Sequence, residues 1–201
     1  ARAQMVIVVE DPDCPLAARL IEAIAAEVGE QGLLVLVTGD AYEAGSPMPA
    51  GVRVVSFSEA GGRLGPVISQ HVLVEFLRSL WADAIVGIGS GLFHESLTPY
   101  GRALADTERI FLGFPALETG IFGQETGTST RYFYRQLEVV EGVFTPDVEV
   151  ASRLVYDYQL PKDLAGKIYS LEGESALEEV VRRLKDALAQ IEFFTAGEKE
   201  T

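Results

Sequence analysis

The sequence predicts an α/β fold, a doubly wound and mostly parallel sheet with helices on both faces. Three observations lead there. Short runs such as Met5-Val-Ile-Val-Val9 and Leu33-Leu-Val-Leu-Val37 are apolar at every position, which suits strands covered on both faces. Longer stretches between such runs carry apolar residues at helical spacing. The composition, 48% hydrophobic and 23% charged over 201 residues, is ordinary for a globular chain and leaves room for a full core. Strand–helix alternation of this kind implies right-handed βαβ crossovers and a Rossmann-like domain.

The elements follow in order. The first strand, 5–9, ends at the turn Glu10-Asp-Pro-Asp13. From Pro15, the residues Leu16, Leu20, Ile21, Ile24 and Val28 mark a helix that Gly29 and Gly32 close. The second strand, 33–37, stops at Gly39-Asp40. A Pro/Gly-rich segment, 45–51, leads to a third strand over 52–57. The next helix places Val67, Ile68, Val72, Phe76, Leu77 and Leu80 on its buried side. A fourth strand at 84–88 closes at Gly89-Ser90-Gly91, and a helix covers about 92–105, with Pro99 a point of interruption or restart. The fifth strand is 109–113. Residues 114–130, with Gly120, Gly123 and Gly127, read as an open loop at the ligand face. A helix runs from about 130 to 140, a sixth strand is 143–144, a helix spans 148–158, and a seventh strand spans 167–171. Ser175-Ala-Leu-Glu178 is a capping box opening a helix with the stripe Leu177, Val180, Val181, Leu184 and Leu188. One domain over 1–194 is expected, closed by the helix 175–191, with a frayed tail over 195–201.

Composition excludes several functions. Sixteen Lys and Arg against 30 Asp and Glu give a formal charge of −14. Nucleic acid and anionic membranes require clustered cations, so neither is an expected partner. Cys14 alone builds no disulfide framework or thiolate metal site. Two histidines, His71 and His94, make a His-rich metal centre improbable. No metal and no cofactor is expected. No apolar run nears the roughly 20 residues of a membrane span, and Ala1-Arg-Ala-Gln shows no signal peptide, so a cytoplasmic chain is expected. Its start at Ala1 suggests processing or excision from a longer protein.

Ligands of such sheets bind beyond the carboxyl ends of the strands, where strand order reverses. The turn there, Glu10-Asp-Pro-Asp-Cys-Pro15, holds three carboxylates and no glycine. A pyrophosphate needs close backbone approach through glycines, so NAD or FAD bound in the usual mode is disfavoured. No Walker phosphate loop occurs, so ATP is not expected either. Asp11 and Asp13 read first as helix caps, with Asp11 and Asp40 kept as substrate contacts. Cys14, beside these acids, is expected to have a raised pKa and no reactive thiolate. Gly89-Ser90-Gly91 lacks the glycine placement of a nucleophile elbow, so Ser90 reads as strand exit and N-cap. His94 is placed to bond a sugar hydroxyl or act as a base, although a surface or capping histidine is the plainer reading; Glu95 lies beside it. His71 reads as a helix-surface residue. Arg131-Tyr-Phe-Tyr-Arg135 offers cations and rings, with Phe133 assigned to the core and Tyr132 and Arg135 open. Glu141 and Glu149 are separated by Gly142 and Pro146 and share no helical face. The substrate-binding candidates are therefore Asp11, Asp40, Ser90, His94, Glu95, Thr119 and Arg131.

Four segments resemble the amino-terminal domain of GT-B-fold glycosyltransferases, in the retaining family that includes sucrose and glycogen synthases. They are Gly51-Val-Arg-Val-Val-Ser56; Leu77 to Ile88, with Trp-Ala-Asp-Ala-Ile-Val; Glu141-Gly-Val-Phe-Thr-Pro-Asp147; and Ala151 to Pro161 followed by Lys167-Ile-Tyr-Ser-Leu171. The chain departs from that family in its glycine-free first turn and in Gly113-Phe-Pro115, where a histidine is usual. The resemblance implies half of a GT-B fold and an acceptor-side role. A sugar or glycan acceptor would lie against the strand exits, and a second, donor-binding Rossmann-like domain would act in cis or in trans. It also implies that the isolated chain turns over no sugar nucleotide. The alternatives are a non-enzymatic binding or scaffold module, and a small NAD-independent enzyme working through Ser90 and His94.

Overall fold

The structure, a computed structural model, describes residues 3–39, 48–57, 64–119, 121, 125–173 and 176–186. β1 (Met5–Val9) leads into α1 (Pro15–Val28), a 3₁₀ turn and β2 (Leu33–Val37). β3 (Arg53–Ser56), α2 (Pro66–Leu80), β4 (Ala84–Ile88), α3 (Gly91–Ala105) and β5 (Arg109–Gly113) follow. A two-residue hairpin pairs β6 (Glu118–Thr119) with β7 (Glu125–Thr126), directly before α4 (Gly127–Gln136). β8 (Gly142–Thr145), α5 (Val148–Asp157), the single turn α6 (Lys162–Ala165), β9 (Ile168–Ser170) and α7 over 176–186 complete the order.

The main sheet has seven parallel strands in the order β3-β2-β1-β4-β5-β8-β9. β1 is the pivot: Met5 lies opposite Leu33 of β2 on one side and Ala84 of β4 on the other. The chain winds outward from β1 to β3, then returns beside β1 and winds the other way. The period of two along each strand feeds two cores. Val6, Val8, Leu34, Leu36, Ile110 and Leu112 pack with α2, α3 and α4. Met5, Ile7, Val9, Leu33, Val35 and Val37 pack with α1 and α7. Helices therefore cover both faces, as the unalternating apolar runs predicted. The fold is α/β and Rossmann-like.

Several boundaries differ from the sequence expectation. α2 buries Leu73, Val74 and Leu77, while Val67 (73% exposed), Ile68 (54%) and Val72 (38%) face outward. This helix is apolar around most of its girth, so periodicity alone selected the wrong stripe in its first half. Pro99 lies inside α3 without ending it. Leu97, Gly101 and Leu104 are buried on either side, and that packing holds the turn despite a missing N–H donor. Among the described residues of 114–130, β6 and β7 pair and α4 begins at Gly127 rather than near 130. α4 ends at Gln136, short of 140, and Lys167 Nζ donates to the carbonyls of Leu137 and Val140 just beyond it. The single turn α6 has no sequence counterpart in the expectation. The Ser175 cap, the extension to 191 and the tail over 195–201 lie outside the described residues. In the described part of α7, Val180 and Leu184 are buried and Lys185 pairs with Glu27 of α1.

Candidate functional site

At the pivot of the sheet, the exits of β1 and β4 lie side by side. The first residue after β1 is Glu10, and its Oε2 accepts a hydrogen bond from the backbone N–H of Gly91 at 3.1 Å. Gly91 is the first residue of α3, so a carboxylate sits on the positive end of that helix. Gly39, at the exit of β2, brings its backbone against the same turn. A Cβ there would stand 2.2 Å from the Glu10 carbonyl oxygen, so only glycine fits.

Beneath this contact a chain of hydroxyls ties three strand exits together. Thr38 Oγ1 donates to the Val9 carbonyl at 3.2 Å and lies 2.7 Å from Ser90 Oγ. With the threonine proton committed to Val9, Ser90 is the donor of that pair. Its oxygen also accepts from the Phe93 N–H at 3.2 Å, capping α3. Ser90 is fully buried. The expected N-cap is present.

Four residues further on, His94 corrects the plainer expectation of a surface or capping residue. It is fully buried and stacks with both Phe114 (5.3 Å between ring centroids) and Tyr132 (5.7 Å). The Gln136 side chain clasps it twice: Gln136 Nε2 donates to the His94 carbonyl at 2.8 Å, and Gln136 Oε1 lies 2.7 Å from His94 Nδ1. Because the amide nitrogen must face a carbonyl, the amide oxygen must face the ring, and Nδ1 carries the proton. Burial holds the imidazole down to about 4, against an ordinary 6.5, so it is neutral at pH 7. Nε2 is then a bare acceptor. Among the described residues no donor reaches it, at a cost of about 1–3 kcal/mol for such a group.

Glu95 stands at the rim of this cluster. Tyr132 donates its hydroxyl to Glu95 Oε1 at 3.2 Å, and Gln70 Nε2 donates to Oε2 at 3.3 Å. The exposed Arg131 lays its guanidinium over the Tyr132 ring, 5.2 Å from the centroid. α3 and α4 thus bring Ser90, His94, Glu95 and Arg131 onto adjoining turns near the pivot. Asp11 is exposed on the β1 exit, where its Oδ1 accepts from the Asp13 N–H at 2.9 Å. It caps this turn and not α1, whose cap is Cys14, with Sγ accepting from the Ala17 N–H. Burial, with Asp11 and Asp13 adding to it, holds the Cys14 thiol above its ordinary value. Thr119 belongs to β6, and Asp40 lies outside the described residues. Thr38, Gln70 and Gln136 were not singled out from the sequence, and Glu10 entered only as one of the three carboxylates of the first turn. Gln136 had a signal, since it lies one helical turn after Tyr132 and shares its face.

Glu141 and Glu149 flank opposite ends of β8, and Glu141 pairs with Arg109 at 2.6 Å. The cleft of about 320 Å³ beside that pair is lined by Arg109, Phe111, Phe144, Tyr169 and Arg183, away from the strand exits. Among the described residues no cluster of His, Cys, Asp and Glu is arranged to hold a metal, and no helix is long and apolar enough to cross a membrane.

Neither a protein-family model nor a curated relative matches the sequence. Among solved structures the chain is similar to the UDP-N-acetylglucosamine 2-epimerase of Rickettsia bellii, with a TM-score of 0.52 and 13% identity over 92% of this chain and 48% of that one. It is likewise similar to the UDP-GlcNAc 2-epimerase of Methanocaldococcus jannaschii, with a TM-score of 0.52 and 12% identity over 83% and 44%. The chain spans about half the length of either protein. The likeness is one of fold, a GT-B-like Rossmann domain.

Proposed function

We propose that this chain is the acceptor-side half of a glycosyltransferase, presenting its strand exits to a sugar or glycan while a second Rossmann-like domain holds the nucleotide-sugar. The observation that carries this reading is Glu10 on the N-terminus of α3. In Rossmann-like sheets a diphosphate is received at the pivot, on the turn that follows the first strand. Here a carboxylate of the chain itself fills that position and repels phosphate. The uncharged His94 and the carboxylate of Glu95 add acceptors for hydroxyl donors. Similarity to half of two enzymes named for UDP-N-acetylglucosamine supports a sugar-nucleotide setting for the whole protein. In that setting Asp11, Asp40, Thr119 and Arg131 are the acceptor contacts, the buried Ser90 braces the strand exits beneath them, and the retaining sucrose and glycogen synthase family is the model for the reaction.

Titration separates the two halves of the reading. Saturation-transfer NMR of the 1–201 chain with mono- and oligosaccharides is expected to show sugar contacts, while calorimetry with UDP and UDP-N-acetylglucosamine shows no binding. Micromolar affinity for either nucleotide would place the donor on this domain and sink the acceptor-side assignment.

A further inference from the structure

We propose that the outer face of α4, formed by Arg131, Tyr134 and Arg135, binds carboxylate-bearing sugar units, so that the acceptor is an acidic glycan. The inference rests on the acceptor-side reading, which gives Arg131 to the acceptor, and deepens it by naming the substrate class.

Three features carry it. The first is placement. Residues 131, 134 and 135 stand at i, i+3 and i+4 of one helix, the spacing that puts side chains on one face, and all three are exposed. The second is charge. The chain has 30 acidic residues against 16 Lys and Arg, yet α4, Gly-Thr-Ser-Thr-Arg-Tyr-Phe-Tyr-Arg-Gln, carries two arginines and no carboxylate. Other arginines of this chain are engaged, Arg102 with Glu138, Arg109 with Glu141 and Arg153 with Asp157. Among the described residues Arg131 meets only the Tyr132 ring, and Arg135 meets no acceptor. The third is a braced ring. Tyr134 stacks with Tyr158, 6.2 Å between centroids and 18° between planes. Tyr158 in turn lies 5.0 Å from Phe133, which is fully buried. Tyr134 is thus oriented from the core and still 54% exposed.

These groups define the ligand. A guanidinium presents a planar fork that matches a carboxylate, and a tyrosine ring suits the C–H face of a pyranose. In a uronate the carboxylate is bonded directly to the sugar ring, so one unit meets fork and ring together. Two guanidiniums one turn apart suit single charges spaced along a chain, whereas a phosphate dianion calls for converging donors. The face also continues the strand-exit cluster, because Tyr132, next to Arg131, donates to Glu95 of α3. Glu10 and Glu95 repel a charged unit at the pivot. The acidic units therefore fall on α4 and an uncharged unit at the strand exits.

The test is calorimetry of the 1–201 chain with trigalacturonate, maltotriose and triglutamate at low ionic strength. Trigalacturonate is expected to bind about tenfold more tightly than maltotriose, about threefold for each exposed guanidinium pair, and the preference should fade as salt is added. Arg135→Gln should weaken trigalacturonate about threefold and leave maltotriose unchanged. Tyr134→Ala should weaken trigalacturonate about fivefold through lost stacking. Both positions are exposed, and an unchanged urea midpoint verifies that the variants fold. If trigalacturonate binds no more tightly than maltotriose, the proposal fails and the acceptor-side reading stands. If triglutamate binds as well as trigalacturonate and is indifferent to Tyr134→Ala, the face attracts charge alone and the proposal fails. If neither saccharide binds, both fail together.

Discussion

At the scale of single residues, Ser90 and His94 show how two polar groups in one helix are buried on different terms. Ser90 is satisfied in both senses, donating to Thr38 and accepting from the Phe93 N–H. Ser90→Ala removes the cap of α3 and is expected to lower stability by about 1–2 kcal/mol, read as a shift in the urea midpoint; an unchanged midpoint would mean that Glu10 alone holds the start of this helix. His94 is satisfied on one side only, and burial holds its folded-state value at about 4 against 6.5 for a free imidazole. Between those values the unfolded chain takes up a proton that the folded chain refuses. The stability contributed by neutral His94 is therefore complete above about pH 6.5, falls as the pH drops toward 4, and is constant below. The loss is on the order of 3 kcal/mol. Comparing the pH dependence of the urea midpoint in the native sequence and in His94→Phe/Gln136→Leu isolates this effect, because Glu108, whose carboxyl burial pushes up, titrates alike in both. A variant as acid-sensitive as the native chain would show that the imidazole is not the group responsible. Ser90 was legible in the sequence because a cap needs only its neighbours. His94 was not, since its partners Phe114, Tyr132 and Gln136 come from the exit of β5 and from α4 and meet it only once the sheet is assembled.

At the scale of elements, what the sequence revealed depended on how many faces an element buries. β1, β2, β4 and β5 stand at their expected positions because short apolar runs, broken in β5 only by Arg109 at its start, suit strands between two layers of helices. α2 was readable as a helix but not as an oriented one. It carries apolar residues on both the face that packs and the face that does not, and only contact with the sheet selects Leu73, Val74 and Leu77. Leu77→Ala, which empties a fully buried position, is expected to cost about 2–5 kcal/mol. Val67→Ser and Ile68→Ser, on exposed positions of the same helix, are expected to stay within about 0.5 kcal/mol. Equal losses at Leu77 and Ile68 in chemical denaturation would mean that the outward stripe is covered in solution. The β6–β7 hairpin escaped notice for a different reason. Each strand is two residues long, below the length at which a period of two can be seen.

At the scale of the whole molecule, the decisive feature is the meeting of the two windings at β1 and β4. Parallel strands direct their carboxyl ends to one edge, and the reversal of order opens a crevice there. In this chain Glu10 lies across that crevice, joining the exit of β1 to the start of α3 through Gly91. The contact stabilises α3 by placing negative charge on its N-terminus, an effect of about 0.3–1 kcal/mol, and it closes the same position to external anions. Glu10→Ala should therefore act in two directions. Stability should fall by that small amount, while the freed N–H groups and helix dipole become available to phosphate. Pyrophosphate affinity measured by calorimetry is expected to rise at least about tenfold, equivalent to about 1.4 kcal/mol, with Glu10→Gln intermediate because it keeps an acceptor and loses the charge. Both variants leave the His94 cluster intact, so sugar contacts should persist while the anion response changes. If Glu10→Ala binds pyrophosphate no better than the native chain, the carboxylate is not what excludes phosphate, and assigning the nucleotide to a second domain loses its main physical support.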